Sequence, residues 1–341
     1  MWITPTIFTG IITSTILATT SSNWLLAWIS LELNTLTTLP LISKTKHPRA
    51  VEAATKYFLT QATASCLLLL AGTSNAWLSG TWDITQMSNK FTSTLMLIAL
   101  TMKIGTAPTH FWLPEVLQGS TMMTALLIST WQKIAPMSLL FLMSNHALPT
   151  PTLILGLLSA TIGGWGGMNQ TQLRKMMAYS SIANMGWTII VLTQEPKTSM
   201  INIFTYILIT TPTFLLMALT STKTLQNMTT MWSTSPMGTT ALALLLLSTA
   251  GLPPLTGFLP KLMIMSELVT QNLTPMAMMM MMASLLNLTF YLRTTYLTTL
   301  LNSPGSATST TKWRQKTDYI KTMIFVPSAT TSTPTMSVWV P

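Results

Sequence analysis

The hydrophobic residues of this chain lie in long runs of roughly 20 residues, separated by short polar loops. A run of that length is enough for an α-helix to cross the hydrocarbon core of a bilayer. We therefore predict about eleven membrane-spanning helices. The predicted spans are 3–21, 24–43, 53–72, 91–112, 121–144, 152–170, 177–192, 200–222, 238–269, 276–300 and 319–340.

The predicted span at 319–340 is the least regular of the set. Pro327 and Pro334 interrupt it, and proline removes a helix hydrogen bond and kinks the helix. Apolar residues at both of its ends still favour a span. The predicted fold class is an all-α polytopic membrane protein.

Composition excludes a soluble globule. Only 7% of the residues are charged and 49% are apolar, whereas about a quarter of the residues of a typical soluble domain are charged. The mean hydropathy of +0.49 agrees with a membrane protein. Thr and Ser largely replace the missing charge, and their hydroxyls can bond the carbonyls of their own helix in lipid.

The charges that remain have a one-sided distribution. There are 17 Lys and Arg against 7 Asp and Glu, a formal net charge of +10, but the bases lie in short loops and not on a nucleic-acid-binding face. On the predicted topology, ten bases share the side of the amino terminus: Lys44, Lys46, Arg49, Arg174, Lys175, Lys223, Lys312, Arg314, Lys316 and Lys321. Lys90 and Lys197 lie in loops on the other side. We predict an amino terminus in the positive-inside compartment, a carboxyl terminus opposite, and no nucleic-acid partner.

The first residues, MWITPTIFTG, resemble neither a signal peptide nor a transit peptide. They lack a basic segment and a small-residue cleavage site. We expect the chain to be inserted where it is made.

Two predicted spans are interrupted by Gly and Pro, at 103–114 and at 250–261. The interruptions match each other when Gly105 is placed on Gly251, an offset of 146 residues. At this offset Pro108 meets Pro254, Leu113 meets Leu259 and Pro114 meets Pro260. Matching broken helices in two halves of a membrane protein indicate an ion or substrate path near the bilayer midplane.

The two broken spans are the fourth and the ninth, so the same motif must cross the membrane in opposite directions. This predicts an inverted repeat within a single membrane domain, 1–341, with halves at about 24–170 and 171–300. Residues 301–341 would form a loop and the final helix. The alternative is that Gly and Pro are simply more frequent in membrane helices.

Four ionisable residues fall inside apolar spans: Glu32, Lys103, Lys133 and Lys261. A charge at that depth costs a few kcal/mol on insertion scales, so each is a candidate for function. Lys103 and Lys261 stand at the two breaks, where a lysine can either exchange protons with internal water or merely bind loose backbone carbonyls. For Glu32 and Lys133 the alternative is an interfacial residue in a misplaced span.

Two further residues carry candidate chemistry. His110 lies beside the first break and is either a proton relay or an ordinary loop histidine. Cys66, the single cysteine, cannot alone hold an iron–sulfur cluster or structural zinc, and we expect it to be a small buried residue. No HExxH, P-loop or dinucleotide-binding fingerprint is present, so we predict no bound metal or cofactor.

The segments KIGTAPTHFWLPEVLQG, QLRKMMAYSSIANMGW and LLSTAGLPPLTGFLPK resemble the antiporter-like membrane subunits of respiratory NADH:ubiquinone oxidoreductase (complex I). The resemblance covers essentially the whole chain. It implies a multi-pass subunit of the mitochondrial inner membrane, with the amino terminus in the matrix and the carboxyl terminus in the intermembrane space. It also implies neighbouring complex I membrane subunits and phospholipids as partners. NADH, FMN, iron–sulfur clusters and ubiquinone would be bound elsewhere in the complex.

The resemblance further implies roles for the buried charges. Glu32, Lys103, Lys133 and Lys261 match the acidic residue and the lysines that carry protons in this family. The expected function is proton translocation along the three lysines, coupled to electron transfer from NADH to ubiquinone, with a Glu32–Lys103 pair as the switch. Two alternatives remain: a free-standing cation/proton antiporter of the same fold, and a structural scaffold in the membrane arm.

Overall fold

The computed structural model of the protein describes residues 3–45, 47–87, 89–220, 222–228 and 236–300. Within these ranges the chain is helical, with no β-strand and two isolated bridges, Asn23 with Asp83 and Gln172 with Thr224. The helices are α1 Ile3–Thr20, α2 Trp24–Ile42, α3 Pro48–Ser79, α4 Lys90–Ile104, α5 Trp112–Gly119, α6 Met122–Ser129, α7 Ile134–Leu142, α8 Pro149–Met168, α9 Leu173–Val191, α10 Pro196–Leu219, α11 Pro236–Ala250, α12 Phe258–Thr270 and α13 Thr274–Leu300.

The many hydroxyl residues inside these helices bond their own backbone. The Ser14 hydroxyl donates to the Ile11 carbonyl at 2.9 Å, and the Thr210 hydroxyl donates to the Tyr206 carbonyl at 2.8 Å. Such bonds satisfy a polar group without a partner from another helix. They explain how spans so rich in Thr and Ser remain compatible with lipid.

Seven predicted spans each correspond to a single helix of the described region, namely 3–21, 24–43, 53–72, 152–170, 177–192, 200–222 and 276–300. Within the described ranges, four helical segments are long and apolar enough to cross a bilayer by length and composition: Trp24–Thr45, Met122–Leu142, Pro196–Leu219 and Thr274–Thr298. The predicted span at 319–340 lies outside the described residues. The total of eleven spans therefore stays a prediction.

The two predicted breaks are present. Residues 105–111 separate α4 from α5, and residues 251–257 separate α11 from α12. The fifth span, predicted as continuous over 121–144, is also interrupted, since α6 and α7 are joined by a 3-10 turn at Trp131–Lys133. Pro136 gives the physical reason, because a proline ring clashes with the carbonyl four residues earlier, here that of Gln132.

The helices pack into two compact units. The first unit comprises Met1–Ser159 and Ile189–Pro196, and the second comprises Ala160–Thr188 and Lys197–Pro341. The first has a buried core that includes Leu31, Leu68, Leu97, Leu100 and Leu140. The second has one that includes Trp187, Phe214, Leu242, Leu245 and Ile264. The repeat halves at 24–170 and 171–300 remain a sequence prediction.

The expectation that Cys66 is buried is wrong. Its side chain is exposed on α3. The buried residues of α3 include Tyr57, Gln61, Ala64 and Leu68, which follow each other at helical spacing. Cys66 lies off this stripe and faces outward.

Candidate functional site

The first break begins at Gly105, which ends α4 in the left-handed conformation with φ of 85°. Its N–H donates to the Thr101 carbonyl at 3.0 Å and closes the last turn. A Cβ at this position would lie 2.8 Å from the Leu113 side chain, and non-glycine residues are also strained at this φ. Glycine is therefore required both for the backbone turn and for the close return of the chain.

Lys103 lies in the last turn of α4, immediately before this break, and is only 6% exposed. Its Nζ atom has no hydrogen bond to another protein atom. Its backbone carbonyl accepts a bond of 3.3 Å from the Gln61 amide on α3. The backbone of Lys103 is thus fixed, while its amine is left to interact with whatever occupies the space in front of it.

That space is a small polar cavity inside the first unit. About 20 Å³ of it is accessible to the centre of a water molecule, which is enough for one water. Its lining residues are Leu31, Asn34, Thr35, Tyr57, Gln61, Lys103, Ile104, Trp112, Ile128, Gln132, Lys133 and Pro136. The cavity brings two lysines from separate spans to one place.

Lys133 is the second lysine in this cavity and is 3% exposed. It ends the 3-10 turn between α6 and α7, where its N–H bonds the Thr130 carbonyl at 3.3 Å. Irregular backbone at membrane depth is tolerated where it is buried in protein or lines a water-filled space. The interruption that Pro136 imposes therefore coincides with the point at which Lys133 meets the cavity.

Polar side chains hold the wall of the cavity in place. The Gln132 amide donates to the Asn34 side-chain oxygen at 3.1 Å and connects the 3-10 turn to α2. The Thr38 hydroxyl donates to the Tyr57 hydroxyl at 3.0 Å and connects α2 to α3. These contacts fix the positions of three spans around the two amines.

Glu32 lies on α2, half-buried, beside the cavity residues Asn34 and Thr35. The Thr35 hydroxyl lies 3.3 Å from a Glu32 carboxylate oxygen. No salt bridge within 4.0 Å joins Glu32 to Lys103, whereas Lys56 is linked in this way to Glu52 and to Glu115 in the described part of the chain. The expected Glu32–Lys103 pair is thus in a separated arrangement.

His110 is buried in the connection between α4 and α5. A ring nitrogen, Nδ1, lies 3.2 Å from the Pro108 carbonyl, and the ring is 4.2 Å from that of Phe111. His110 is not one of the residues that line the cavity. The geometry is that of a histidine that holds the loop together, and its role as a relay stays a prediction.

Lys261 lies in the second unit, in the first turn of α12, and is 8% exposed. Its ammonium donates to the carbonyl of Ala250, the last residue of α11, at 2.6 Å. It also lies 5.9 Å from the centroid of a Trp187 ring. Gly251, with φ of 87°, makes the turn at this break, and a Cβ there would lie 2.9 Å from Lys261 Nζ. Here the lysine does bind a loose carbonyl.

The structure therefore brings together Lys103 and Lys133, with Glu32 at the edge of their site, and places Lys261 in the other unit. The sequence reasoning missed the amide and hydroxyl residues of the cavity wall. A signal for them exists, because Leu31, Asn34, Thr35 and Thr38 recur at helical spacing on α2 and include polar residues within an apolar span.

The sequence reasoning also missed an ion cluster at the surface of the first unit. Lys56 Nζ is 2.5 Å from carboxylate oxygens of both Glu52 and Glu115, and all three side chains are 40% exposed or more. Glu52 and Lys56 have the i, i+4 spacing of a helix pair. Glu115 belongs to α5, so the cluster ties the helix after the first break to α3.

The described residues form no cluster of side chains typical of a metal site. They contain no group of three or more His, Cys, Asp and Glu side chains able to hold a metal ion. The one cysteine, Cys66, lies exposed on α3.

Residues 21–287 match the family described as NADH:quinone oxidoreductase/Mrp antiporter, transmembrane. A curated relative from Varanus baritji, NADH-ubiquinone oxidoreductase chain 2, is 55% identical over 89% of this chain and 88% of its own length. The protein of the same name from Varanus melinus is 52% identical over 97% of both chains.

The fold is also similar to that of a solved structure. A chain of respiratory complex I from Thermus thermophilus with bound aureothin superposes with a TM-score of 0.81 at 23% identity. The match covers 94% of this chain and 77% of that chain. At this identity the similarity concerns the fold.

Proposed function

The chain belongs to the NADH:quinone oxidoreductase/Mrp antiporter family of transmembrane proteins, and from this premise we propose that it is a proton-translocating membrane-arm subunit of NADH:ubiquinone oxidoreductase. It would work in the mitochondrial inner membrane as a multi-pass protein. Electron transfer from NADH to ubiquinone would supply the free energy, and this chain would move protons.

The observation that carries the proposal is the shared cavity of Lys103 and Lys133. Two buried amines face one small polar space that has room for a water molecule. Keeping an amine at membrane depth costs a few kcal/mol, and a purely structural scaffold has no need of two. A water between them provides a route for a proton to pass from one amine to the other.

Glu32 fits the role of a switch for this transfer. A carboxylate close to Lys103 favours the ammonium form, and its withdrawal favours release of the proton. The separated arrangement of Glu32 and Lys103 would be the state that releases the proton. Lys261 would be the proton-carrying residue of the second unit, and His110 would act mainly by holding the α4–α5 connection.

The redox reaction belongs to other subunits. NADH, FMN, iron–sulfur clusters and ubiquinone are bound elsewhere in such a complex, and the described residues of this chain do not fit a metal cluster. Exposed apolar side chains such as Leu70, Phe204 and Met278 would contact neighbouring membrane-arm subunits or phospholipids.

The orientation follows from loop charge. On the topology predicted from the sequence, Lys44, Arg49 and Lys223 lie in loops or helix starts on the side of the amino terminus. By the positive-inside rule that side is the matrix, and the carboxyl terminus would lie in the intermembrane space.

Replacing Lys103 by Met in the assembled complex tests the proposed function. Methionine keeps an unbranched side chain of similar reach and removes the amine. We expect a lower ratio of protons pumped to electrons transferred while NADH oxidation continues. The matched control is Ile98→Met on the exposed face of the same helix, which should pump normally.

If Lys103→Met pumps with the unchanged ratio and rate, the proposed function is wrong. The same family includes Mrp antiporters, so a cation/proton antiporter is the second candidate. A sodium or potassium flux driven by a pH gradient in proteoliposomes containing this chain alone would favour it.

A further inference from the structure

The short helix after the first break, α5, packs chiefly against α3. It has eight residues, Trp112–Gly119, and it follows irregular backbone at 105–111. A helix this short is marginal by itself, so its position depends on the helix against which it packs. The contacts between α5 and α3 therefore decide where the side chains of α5 lie.

One face of α5 makes these contacts, because Trp112, Glu115 and Gly119 recur at i, i+3 and i+7. The Trp112 ring meets the Tyr57 ring of α3 edge to face, with 5.7 Å between the ring centroids. At the other end of the face, a Cβ on Gly119 would lie 2.6 Å from the nearest atoms of α3. Glu115, between these two contacts, has a carboxylate oxygen 2.5 Å from Lys56 Nζ. Two packing contacts and one ion pair thus hold α5 on α3.

The inner edge of this helix contact belongs to the cavity of the first unit. Tyr57 and Trp112 are both lining residues of that cavity, and both are buried. Lys56 precedes Tyr57 on α3, and Glu115 follows Trp112 by one turn on α5. The exposed ion pair therefore lies at the outer edge of the same contact whose inner edge forms the cavity wall.

The second carboxylate on Lys56 has a different role. Glu52 and Lys56 are four residues apart on α3, so their bond stays within one helix. The bond from Lys56 to Glu115 joins two helices. Loss of the Glu52 charge leaves α5 tied to α3, whereas loss of the Glu115 charge releases it.

The ion pair is better suited to setting a position than to stabilising the fold. Its side chains are 40% and 47% exposed, and exposed ion pairs contribute little to the free energy of unfolding. The packing contacts at both ends of the α5 face keep the two helices together without it. A proton crosses a water only between groups within hydrogen-bond reach, so a shift of the cavity wall by about 1 Å is enough to impair transfer.

We propose that Lys56 and Glu115 are positioning residues for proton transfer in the first unit. Their ion pair sets the place of α5 along α3 and so holds the Trp112 and Tyr57 rings at the wall of the cavity. This inference rests on the proposed function and adds to it two residues that do not line the cavity.

The test compares Glu115→Gln with Glu52→Gln in the assembled complex. Glutamine keeps the length of each side chain and removes its charge. We expect Glu115→Gln to lower the proton-to-electron ratio, by less than Lys103→Met does, with NADH oxidation retained. Glu52→Gln is the matched control and should pump normally, because its bond to Lys56 lies within α3.

Exchanging the two charges provides a rescue. Lys56→Glu alone brings three carboxylates together, and like charges repel, so the ratio should fall further than in Glu115→Gln. Combining Lys56→Glu with Glu115→Lys gives the cluster one amine and two carboxylates again. This double variant should recover most of the ratio that Lys56→Glu loses.

Glu115→Asp guards against failure to assemble. It keeps the charge on a side chain that is one methylene shorter, and it should lower the ratio by a smaller amount than Glu115→Gln. The inference is overturned by a normal ratio in every Glu115 variant that assembles, since a lower yield of complex alone would limit the pair to a role in folding. It is also overturned if the double variant pumps no better than Lys56→Glu.

The outcomes also separate this inference from the proposed function. If Lys103→Met lowers the ratio while the Glu115 variants do not, the proposed function stands and the positioning role is wrong. If Lys103→Met pumps normally, the proposed function itself fails.

Discussion

The two lysines at the helix breaks, Lys103 and Lys261, differ in the hydrogen bonds of their amines. Lys103 lies in the last turn of α4, just before Gly105. Its amine has no hydrogen bond to another protein atom. Lys261, at the corresponding break, binds the Ala250 carbonyl. The same residue type thus has two environments, one beside a polar cavity and one bound to a backbone carbonyl.

Gly251 should be more sensitive to substitution than another glycine in the same backbone conformation. Both Gly251 and Gly80 have positive φ, which costs a non-glycine residue about 1–2 kcal/mol. A Cβ at Gly251 would also meet Lys261 Nζ at 2.9 Å, whereas a Cβ at Gly80 meets nothing within 4 Å. We expect Gly251→Ala to lower both thermal stability and pumping.

Gly80→Ala is the matched control for that experiment and should cost stability alone. Thermal inactivation of the complex and the proton-to-electron ratio are the two measurements. Equal effects of the two substitutions on pumping would contradict the close approach of Lys261 to the turn.

Glu32→Gln should impair pumping more than electron transfer. Glutamine keeps the size and hydrogen bonding of the side chain but removes its charge, and a nearby carboxylate favours the ammonium form of a lysine. The ratio of protons to electrons in reconstituted complex is the measurement. Glu267→Gln, an acid-to-amide change at a residue of α12 that does not line the cavity of Lys103 and Lys133, serves as the control. A normal ratio in Glu32→Gln would remove the switch from the mechanism.

At the scale of helices, the sequence predicted the breaks that glycine and proline produce together. The motifs at Gly105 and Gly251 predict both the end of one helix and the turn that leads into the next helix. It did not predict the break at Trp131–Lys133, because a single proline in an apolar span is also compatible with a mild kink. Only the packed structure decides which of these occurs.

The cavity walls were beyond prediction for a related reason. Asn34, Gln61 and Gln132 come from three different spans, and no local pattern in one span indicates its neighbour. The lysines could be found because a buried charge is exceptional at any position. Buried amides and hydroxyls are common in this Thr-rich chain, so they carry a weaker signal.

Pro136→Ala should move Lys133 by allowing the helix to continue through residues 131–133. Alanine restores the missing N–H and removes the clash with the Gln132 carbonyl. We expect stability to be maintained or raised and pumping to fall, because the amine leaves the cavity that it shares with Lys103.

The control for this prediction is Pro40→Ala, a change of the same chemistry inside α2 at an exposed position. Proton pumping and thermal inactivation of the complex are compared for both variants. Retained pumping in Pro136→Ala would mean that the 3-10 turn does not position Lys133.

At the scale of the whole molecule, the loop charges define an orientation that can be measured. We expect a membrane-impermeant thiol reagent to reach Lys44→Cys from the matrix side and Lys90→Cys from the opposite side. Cys66 is exposed on α3, so the background should be Cys66→Ser. Labelling of both positions from one side would overturn the predicted topology.

The proposed proton path requires that Lys103 and Lys133 act in one route through one cavity. Residues that act as a unit have non-additive effects, since removing either one already stops the shared step. The decisive measurement is the proton-to-electron ratio of reconstituted complex carrying Lys103→Met, Lys133→Met or both. We predict that each single variant lowers the ratio and that the double variant lowers it no further. Losses in the two single variants that add in the double variant would contradict a shared path.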